Sequence, residues 1–232
     1  MNELIKMGGS WCKQGISEIT EGFNDALRLA ADGDELKAYA LLLDVVKMSE
    51  KSACNLRELV IRYGYPEERD ELEQIVLGSH PVDIGFTEEG WFAVRMDPLA
   101  KAKTLASKPY IRGIIAPAMK KFFADKPNIR YPQCVLIFRH VYDRKFPVRH
   151  MRDYDNVEVK QVTDVVAMYV MVDDNPFVCE TYYLSAPGDV PRTDIFVVPQ
   201  SEFLKWLQVA DAIPEEGLRL TDQIPQQWKA DK

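Results

Sequence analysis

The fold is decided by the stretch Cys134-Val135-Leu136-Ile137-Phe138-Arg139-His140-Val141-Tyr142. It is rich in β-branched and aromatic side chains, and it is a short, nearly continuous apolar run rather than a series with the helical period. No other part of the chain is as strongly strand-like. We therefore predict that it forms a central strand of a β-sheet.

Four more strands are predicted around this one. Residues 82–86 and 91–96 predict a hairpin, because a turn sequence at Glu88-Glu89-Gly90 lies between them. Residues 177–184 and 193–198 predict a second hairpin.

Three helices are expected between and after these strands. The first covers residues 110–123 and contains Pro117, the second is capped by Asp155 or Asn156, and the third is capped by Ser201. The order of elements predicts an α+β fold, with a small mixed sheet and flanking helices.

Residues 16–78 predict helices, with Ser17 as an N-cap, a long helix from Leu36 to Tyr63 and a short helix over 67–77. The apolar stripe of the long helix fits either a core within the chain or a dimer interface. The chain is thus predicted to have a helical region at 1–80, an α+β domain at 81–212 and an extended or poorly ordered tail at 213–232.

Charge is distributed unevenly along the chain. The protein has 29 Lys and Arg against 36 Asp and Glu, yet residues 101–152 contain thirteen basic residues and two acidic ones. Such a block is either a solvated face or a surface that binds a polyanion such as DNA through its phosphates. The residues proposed for phosphate contacts are Lys120, Lys121, Arg139, Arg144, Lys145, Arg149 and Arg152.

Several classes of protein are disfavoured. The four cysteines are far apart, which argues against a zinc knuckle or a disulfide framework and predicts reduced, mostly buried thiols. No P-loop or GxGxxG motif is present. The N-terminus lacks the features of a signal peptide, and no apolar run reaches eighteen residues, so a cytoplasmic protein is expected.

Acidic residues follow the basic block. Asp153 and Asp155 are two positions apart and can share one side of an extended backbone, and Asp173 and Asp174 follow the next predicted helix. Carboxylates are hard oxygen ligands, so these residues predict a site for Mg²⁺ or Mn²⁺. Each pair also fits local structure alone, as a helix cap or a turn. A site that mixes carboxylates with His140 or His150 is a further alternative.

The pattern Arg152-Asp153-Tyr154-Asp155-Asn156, followed by Lys160, Asp164 and the Asp173-Asp174 pair, resembles the core of the RusA-type Holliday junction resolvases. The resemblance covers about residues 90–200. It implies a dimeric, Mg²⁺-dependent endodeoxyribonuclease in which Asp153, Asp155 and Asp174 bind metal, with Asp173 and Asn156 as supporting neighbours and Lys160 beside the phosphate. The chain also resembles uncharacterised proteins of bacterial mobile elements, for which no activity is implied.

The chain departs from the RusA pattern at three places. The Pro-Pro-Ser-x-Asn stretch after the first strand of the family is replaced by Met96-Asp97-Pro98-Leu99-Ala100. The family lysine lies three residues after the Asn, where this chain has Val159, and Lys160 follows one residue later. The N-terminal helices have no counterpart in the family. The expected function is a metal-dependent endonuclease acting on branched or structured DNA, and the alternative is a catalytically silent module that binds nucleic acid or a protein.

Overall fold

A computed structural model describes residues 3–63, 81–99, 107–145 and 158–228. The chain forms two compact units: Met1–Arg69 with Lys103–Tyr110, and Asp70–Ala102 with Ile111–Lys232. The described helices include none long and apolar enough to cross a membrane. The predicted helix at 67–77 lies outside the described residues.

The first unit contains a helical hairpin. Helix α1 spans Glu3–Ala31 and helix α2 spans Glu35–Tyr63, with Gly33 in the left-handed region (φ 82°) at the turn between them. Only glycine adopts such a φ without steric cost, which explains the break at this point. The long helix was predicted correctly. The cap at Ser17 was wrong, since α1 continues for fourteen residues on the N-terminal side of Ser17.

The second unit contains a five-stranded sheet. Strands β1 (Asp83–Phe86), β2 (Phe92–Met96), β3 (Cys134–Asp143), β4 (Cys179–Gly188) and β5 (Arg192–Pro199) lie in the order β1-β2-β5-β3-β4. All neighbouring pairs are antiparallel except β3 and β4, which are parallel. The predicted α+β class and the internal position of β3 are confirmed.

The predicted hairpin of β4 with β5 is wrong. The two strands follow each other closely in sequence, but β3 lies between them and pairs with both, parallel to β4 and antiparallel to β5. The short linker after Gly188 therefore crosses the end of β3. Local turn signals favoured a hairpin, whereas the apolar character of β3 requires a neighbour on each side.

Three α-helices accompany the sheet: α3 (Ser107–Phe122), α4 (Val159–Val170) and α5 (Phe203–Ala210). Pro117 lies inside α3, as predicted. The predicted caps differ from the structure. Helix α4 begins after Glu158 rather than after Asp155 or Asn156, and α5 begins after Glu202 rather than at Ser201. The N-cap residue of neither helix makes a side-chain cap hydrogen bond.

Helix α4 makes the crossover that a parallel strand pair requires. It joins the end of β3 to the start of β4, and its last residues lie beside the chain that leads into β3. There, Arg130 donates a hydrogen bond to the Met168 carbonyl (2.8 Å), and Tyr131 forms a parallel bridge with Met171. The turn that carries Asp173 is thereby held near the first residues of β4.

Both faces of the sheet are covered. On one face Trp91, Ile137 and Phe196 pack with Trp206 of α5. On the other face Phe92 contacts Phe122 at the end of α3. Cys12, Cys134 and Cys179 are free and buried, as predicted for these thiols.

Residues 213–228 pack on the second unit instead of forming a separate tail. Ile213 is buried, and Thr221 exchanges two backbone hydrogen bonds with Phe86 of β1 (2.8 and 2.9 Å). This bridge covers part of an edge strand whose backbone would otherwise be unpaired. The Pro and charge content of the segment suggested poor order, but its few apolar residues are sufficient to attach it.

A buried carboxylate binds three arginines under this segment. Asp194 is 2% exposed, and its oxygens accept hydrogen bonds from Arg95 (3.0 Å), Arg139 (2.8 Å) and Arg192 (3.0 Å). Arg95 and Arg139 lie directly opposite Asp194 on the neighbouring strands β2 and β3. Arg95 and Arg192 also donate to the carbonyls of Leu218 (2.8 Å) and Glu215 (2.6 Å).

Gly85 tests the attachment of the C-terminal segment. A Cβ atom at this position would lie 2.6 Å from the Thr221 carbonyl oxygen and 3.0 Å from the Leu220 Cβ. We expect Gly85→Ala to lower the free energy of unfolding by about 1–3 kcal/mol in urea titrations, because backbone must move. Gly113→Ala is the control: it has open space in α3 and should be neutral or stabilising. Equal effects of the two variants would contradict this account.

Asp194→Asn tests the buried ion cluster. The neutral amide would leave Arg139 and Arg192 without their counter-ion and Arg95 with only Asp83 (3.9 Å), and we expect a loss of about 3–5 kcal/mol in the free energy of unfolding. Asp189→Asn is the control, since Asp189 is an exposed partner of Arg144, and its denaturation midpoint should barely change. If the two variants unfold at the same urea concentration, the cluster has no special role.

Candidate functional site

The turn after α4 carries the second pair of predicted metal ligands. Both Asp173 and Asp174 are exposed. The Asp173 carboxylate accepts hydrogen bonds from the Asn175 side-chain amide (2.6 Å) and the Asp174 backbone N–H (2.7 Å). These bonds favour the ionised form and hold the pKa of Asp173 below its usual value. Asp173 is thus engaged in local turn structure.

Lys160 lies in the first turn of α4. Its ammonium group donates a hydrogen bond to Asp164 (3.1 Å), one helical turn further along the helix. This bond and the Asp164 charge raise the pKa of Lys160, and the charge of Asp174 adds a smaller contribution in the same direction. The direct partner of Lys160 is thus Asp164, within the same helix.

The first half of the predicted metal site cannot be placed. Asp153, Asp155 and Asn156 lie outside the described residues. Within the ranges that the structure describes, no three His, Cys, Asp or Glu side chains are grouped closely enough to hold a metal ion. A site at Asp174 would therefore need carboxylates from the segment before α4.

The predicted phosphate-binding residues occupy several different environments. Arg139 is 5% exposed and bonded to Asp194, which removes it from the surface proposed for phosphate contacts. Arg144 is partly exposed and forms ion pairs with Asp189 and Glu215.

The remaining members of the proposed phosphate-binding set are lysines on the surface or residues that the structure does not describe. Lys120 and Lys121 are exposed in the last turn of α3, and Lys145 is exposed after β3. Arg149 and Arg152 lie outside the described residues.

His140 is not placed to bind a metal at the surface. It is buried on β3, with Nδ1 3.3 Å from the Thr193 hydroxyl. Burial disfavours the charged ring and lowers the pKa of His140 from 6.5 to about 4.

Sequence reasoning missed two buried acidic residues in this unit. Glu158 is completely buried at the start of α4, and Asp194 is buried on β5. A signal for the second was present, since Arg139 interrupts an otherwise apolar strand and a buried arginine requires a counter-ion. Nothing comparable in the sequence marks Glu158.

The described features define an α+β protein with a helical hairpin and a five-stranded mixed sheet. The chain belongs to a family of unknown function, DUF6100, which it matches over residues 11–222. Neither the curated proteins nor the solved structures contain a significant match to this chain.

The buried imidazole predicts a pH dependence. His140 has a pKa of 6.5 in the unfolded chain and of about 4 in the folded domain. Between these two pH values the unfolded chain binds a proton that the folded domain does not bind, so stability falls as the pH is lowered through this window. The loss is about 2 kcal/mol between pH 7 and pH 5. Urea titrations at both pH values should show a smaller loss for His140→Gln than for the unsubstituted protein. An equal loss in the two proteins would contradict the assignment.

Proposed function

We propose that the second unit is a divalent-metal-dependent endonuclease of the RusA type that acts on branched or structured DNA. The observation that carries the proposal is the Lys160–Asp164 ion pair (3.1 Å) in α4, the helix that separates the two groups of proposed ligands in the sequence. In the resembled family the carboxylates before and after this helix bind metal, and the lysine of the helix lies beside the phosphate.

The departure at Val159 is consistent with this proposal. Helix α4 begins at Val159, and one residue turns a helical side chain by about 100°. Lys160 is the residue whose side chain is exposed and responds to the charge of Asp174. The one-residue shift of the lysine is therefore compatible with a lysine in the site.

The proposed ligands are Asp174 with Asp153 and Asp155. Carboxylate oxygens suit Mg²⁺ and Mn²⁺. A bound ion of this type would activate a water molecule and stabilise charge on the phosphate. Lys160 would offset charge on the phosphoryl oxygens, with Asp164 orienting its ammonium group. Asp173 would support the turn rather than bind metal.

DNA would be held through its phosphates by the exposed basic residues. Lys120, Lys121 and Lys145 are the described candidates, and Arg144 would have to exchange its carboxylate partners for phosphate. Arg149 and Arg152 precede the proposed ligands and complete this set. Such contacts position DNA without reading its sequence, and they weaken as salt rises.

The alternative is a catalytically silent module that binds nucleic acid or a protein partner. One observation favours it: the hydrogen bonds of Asp173 are those of an ordinary turn, which explains part of the acidic motif without any metal. If the protein is such a module, the exposed basic residues alone would account for nucleic-acid binding.

Cleavage of a synthetic four-way DNA junction distinguishes the endonuclease from the catalytically silent module. With Mg²⁺ or Mn²⁺, we expect the protein to cleave the junction, and Asp174→Asn or Asp155→Asn to slow cleavage by more than about 100-fold, because even an outer-shell partner of a metal contributes 10–100-fold. Asp211→Asn changes an exposed carboxylate after α5 and is the matched control. The assay is measured by gel electrophoresis of labelled strands.

Two outcomes would overturn the endonuclease proposal. Junction binding without cleavage in either metal would support the silent nucleic-acid-binding module. Absence of binding at both low and moderate salt would indicate a protein-interaction module.

A further inference from the structure

The hairpin of α1 and α2 has an interior of mostly small residues. A Cβ at Gly15 would lie 2.6 Å from the Ser52 hydroxyl oxygen, and one at Gly22 would lie 2.9 Å from a Val45 methyl group. The two helices therefore approach closely. As a consequence, most of the large apolar side chains of the hairpin are excluded from its interior.

These excluded side chains form a second apolar stripe on each helix. Phe23 on α1 and Val46 on α2 each follow an interior position by one residue, which turns them by about 100° from the inner seam. The apolar face consists of Ile16, Phe23, Leu27, Leu42, Val46 and Leu56, with exposed fractions between 37% and 54%.

Both stripes lie on the same side of the hairpin. The contacts of Gly15 with Ser52 and of Gly22 with Val45 show that the helices are antiparallel. In an antiparallel pair, a residue that follows an interior position by one lies on the same side of the pair in both helices. The two stripes therefore combine into one apolar face.

The opposite side of the hairpin is mostly polar. The residues exposed there are Gln14, Glu18, Ala40, Asp44 and Lys51, with Trp11 (68% exposed) as an apolar exception. The hairpin is thus amphipathic as a pair of helices. This pattern is expected of a pair that buries one side against another element and keeps the other side in water.

The size of the apolar face fits a dimer. With roughly 200 Å² for each large apolar side chain, the six residues expose about 560 Å² per copy. That is near the upper end of the largest patch on an ordinary monomer, at about 300–600 Å². Two such faces bury about 1,100 Å², which exceeds the roughly 1,000 Å² that a specific interface needs.

We propose that this face binds the same face of a second copy of the chain, so that two hairpins form a four-helix bundle. A twofold arrangement covers both faces at once, so the contact closes on itself and does not propagate to further copies. Charge does not oppose it, because residues 3–63 contain eight basic and ten acidic residues. This assignment is independent of the proposed nuclease activity.

The mass of the full chain in solution tests the proposal. Light scattering after size exclusion should give twice the 26.6 kDa of one chain. Phe23→Glu combined with Val46→Glu places charge in the centre of the face and should raise the dimer dissociation constant by at least about 100-fold. Gln14→Glu combined with Ala40→Glu adds the same charge on the opposite side and should remain dimeric.

Three results would overturn the proposal: a monomeric unsubstituted protein at tens of micromolar, a dimeric Phe23→Glu/Val46→Glu variant, or equal weakening by the control pair. Far-UV circular dichroism shows whether each variant keeps its helices. Should the glutamate variant unfold, Leu27→Gln combined with Leu42→Gln gives the same test with residues of good helix propensity. A dimer that persists in this variant would place the interface elsewhere.

Discussion

The buried carboxylate of Asp194 is the constraint on which the second unit depends. It lies on β5, the middle strand of the sheet, and binds arginines on both neighbouring strands. A slip of one residue in the pairing of β5 with β2 or with β3 would turn an arginine to the opposite face of the sheet and leave it without its counter-ion. The ion cluster therefore specifies strand pairing in a way that the surrounding apolar residues alone do not.

The same cluster attaches the C-terminal segment. Arg95 and Arg192 each use one guanidinium nitrogen for Asp194 and another for a carbonyl of that segment. Gly217 has a φ of 87° there, and a Cβ at this position would lie 2.9 Å from the central guanidinium carbon of Arg95. A glycine is required because the backbone turns directly over the arginine.

Helix α4 connects this scaffold to the proposed chemistry. A parallel pair of strands needs a crossover, and the crossover returns the chain to the start of β4, where Asp174 lies. The parallel pairing of β3 with β4 thus requires the connection that carries Lys160 and Asp174. A β4–β5 hairpin, the arrangement that local turn signals suggested, would not by itself have required it.

Much of the fold was predictable because its signals are local. The periodicity of α2, the apolar run of β3 and the turn after β1 each indicate one element from neighbouring residues. The start of α4 and the burial of Glu158 were not predictable, because they depend on packing against distant parts of the chain. In the candidate site, Lys160 and Asp174 come from the RusA-like pattern and stay predictions, whereas the burial of Arg139 was missed.

Sequence alone determined the α+β class, the order of the elements and the uneven charge, since these follow from residue types and their spacing. Tertiary structure alone decided that β3 separates β4 from β5 and that Arg139 pairs with Asp194. Each of these depends on which distant segments become neighbours. That choice minimises unpaired buried charge and exposed apolar surface over the whole unit, and no short stretch of sequence contains the information.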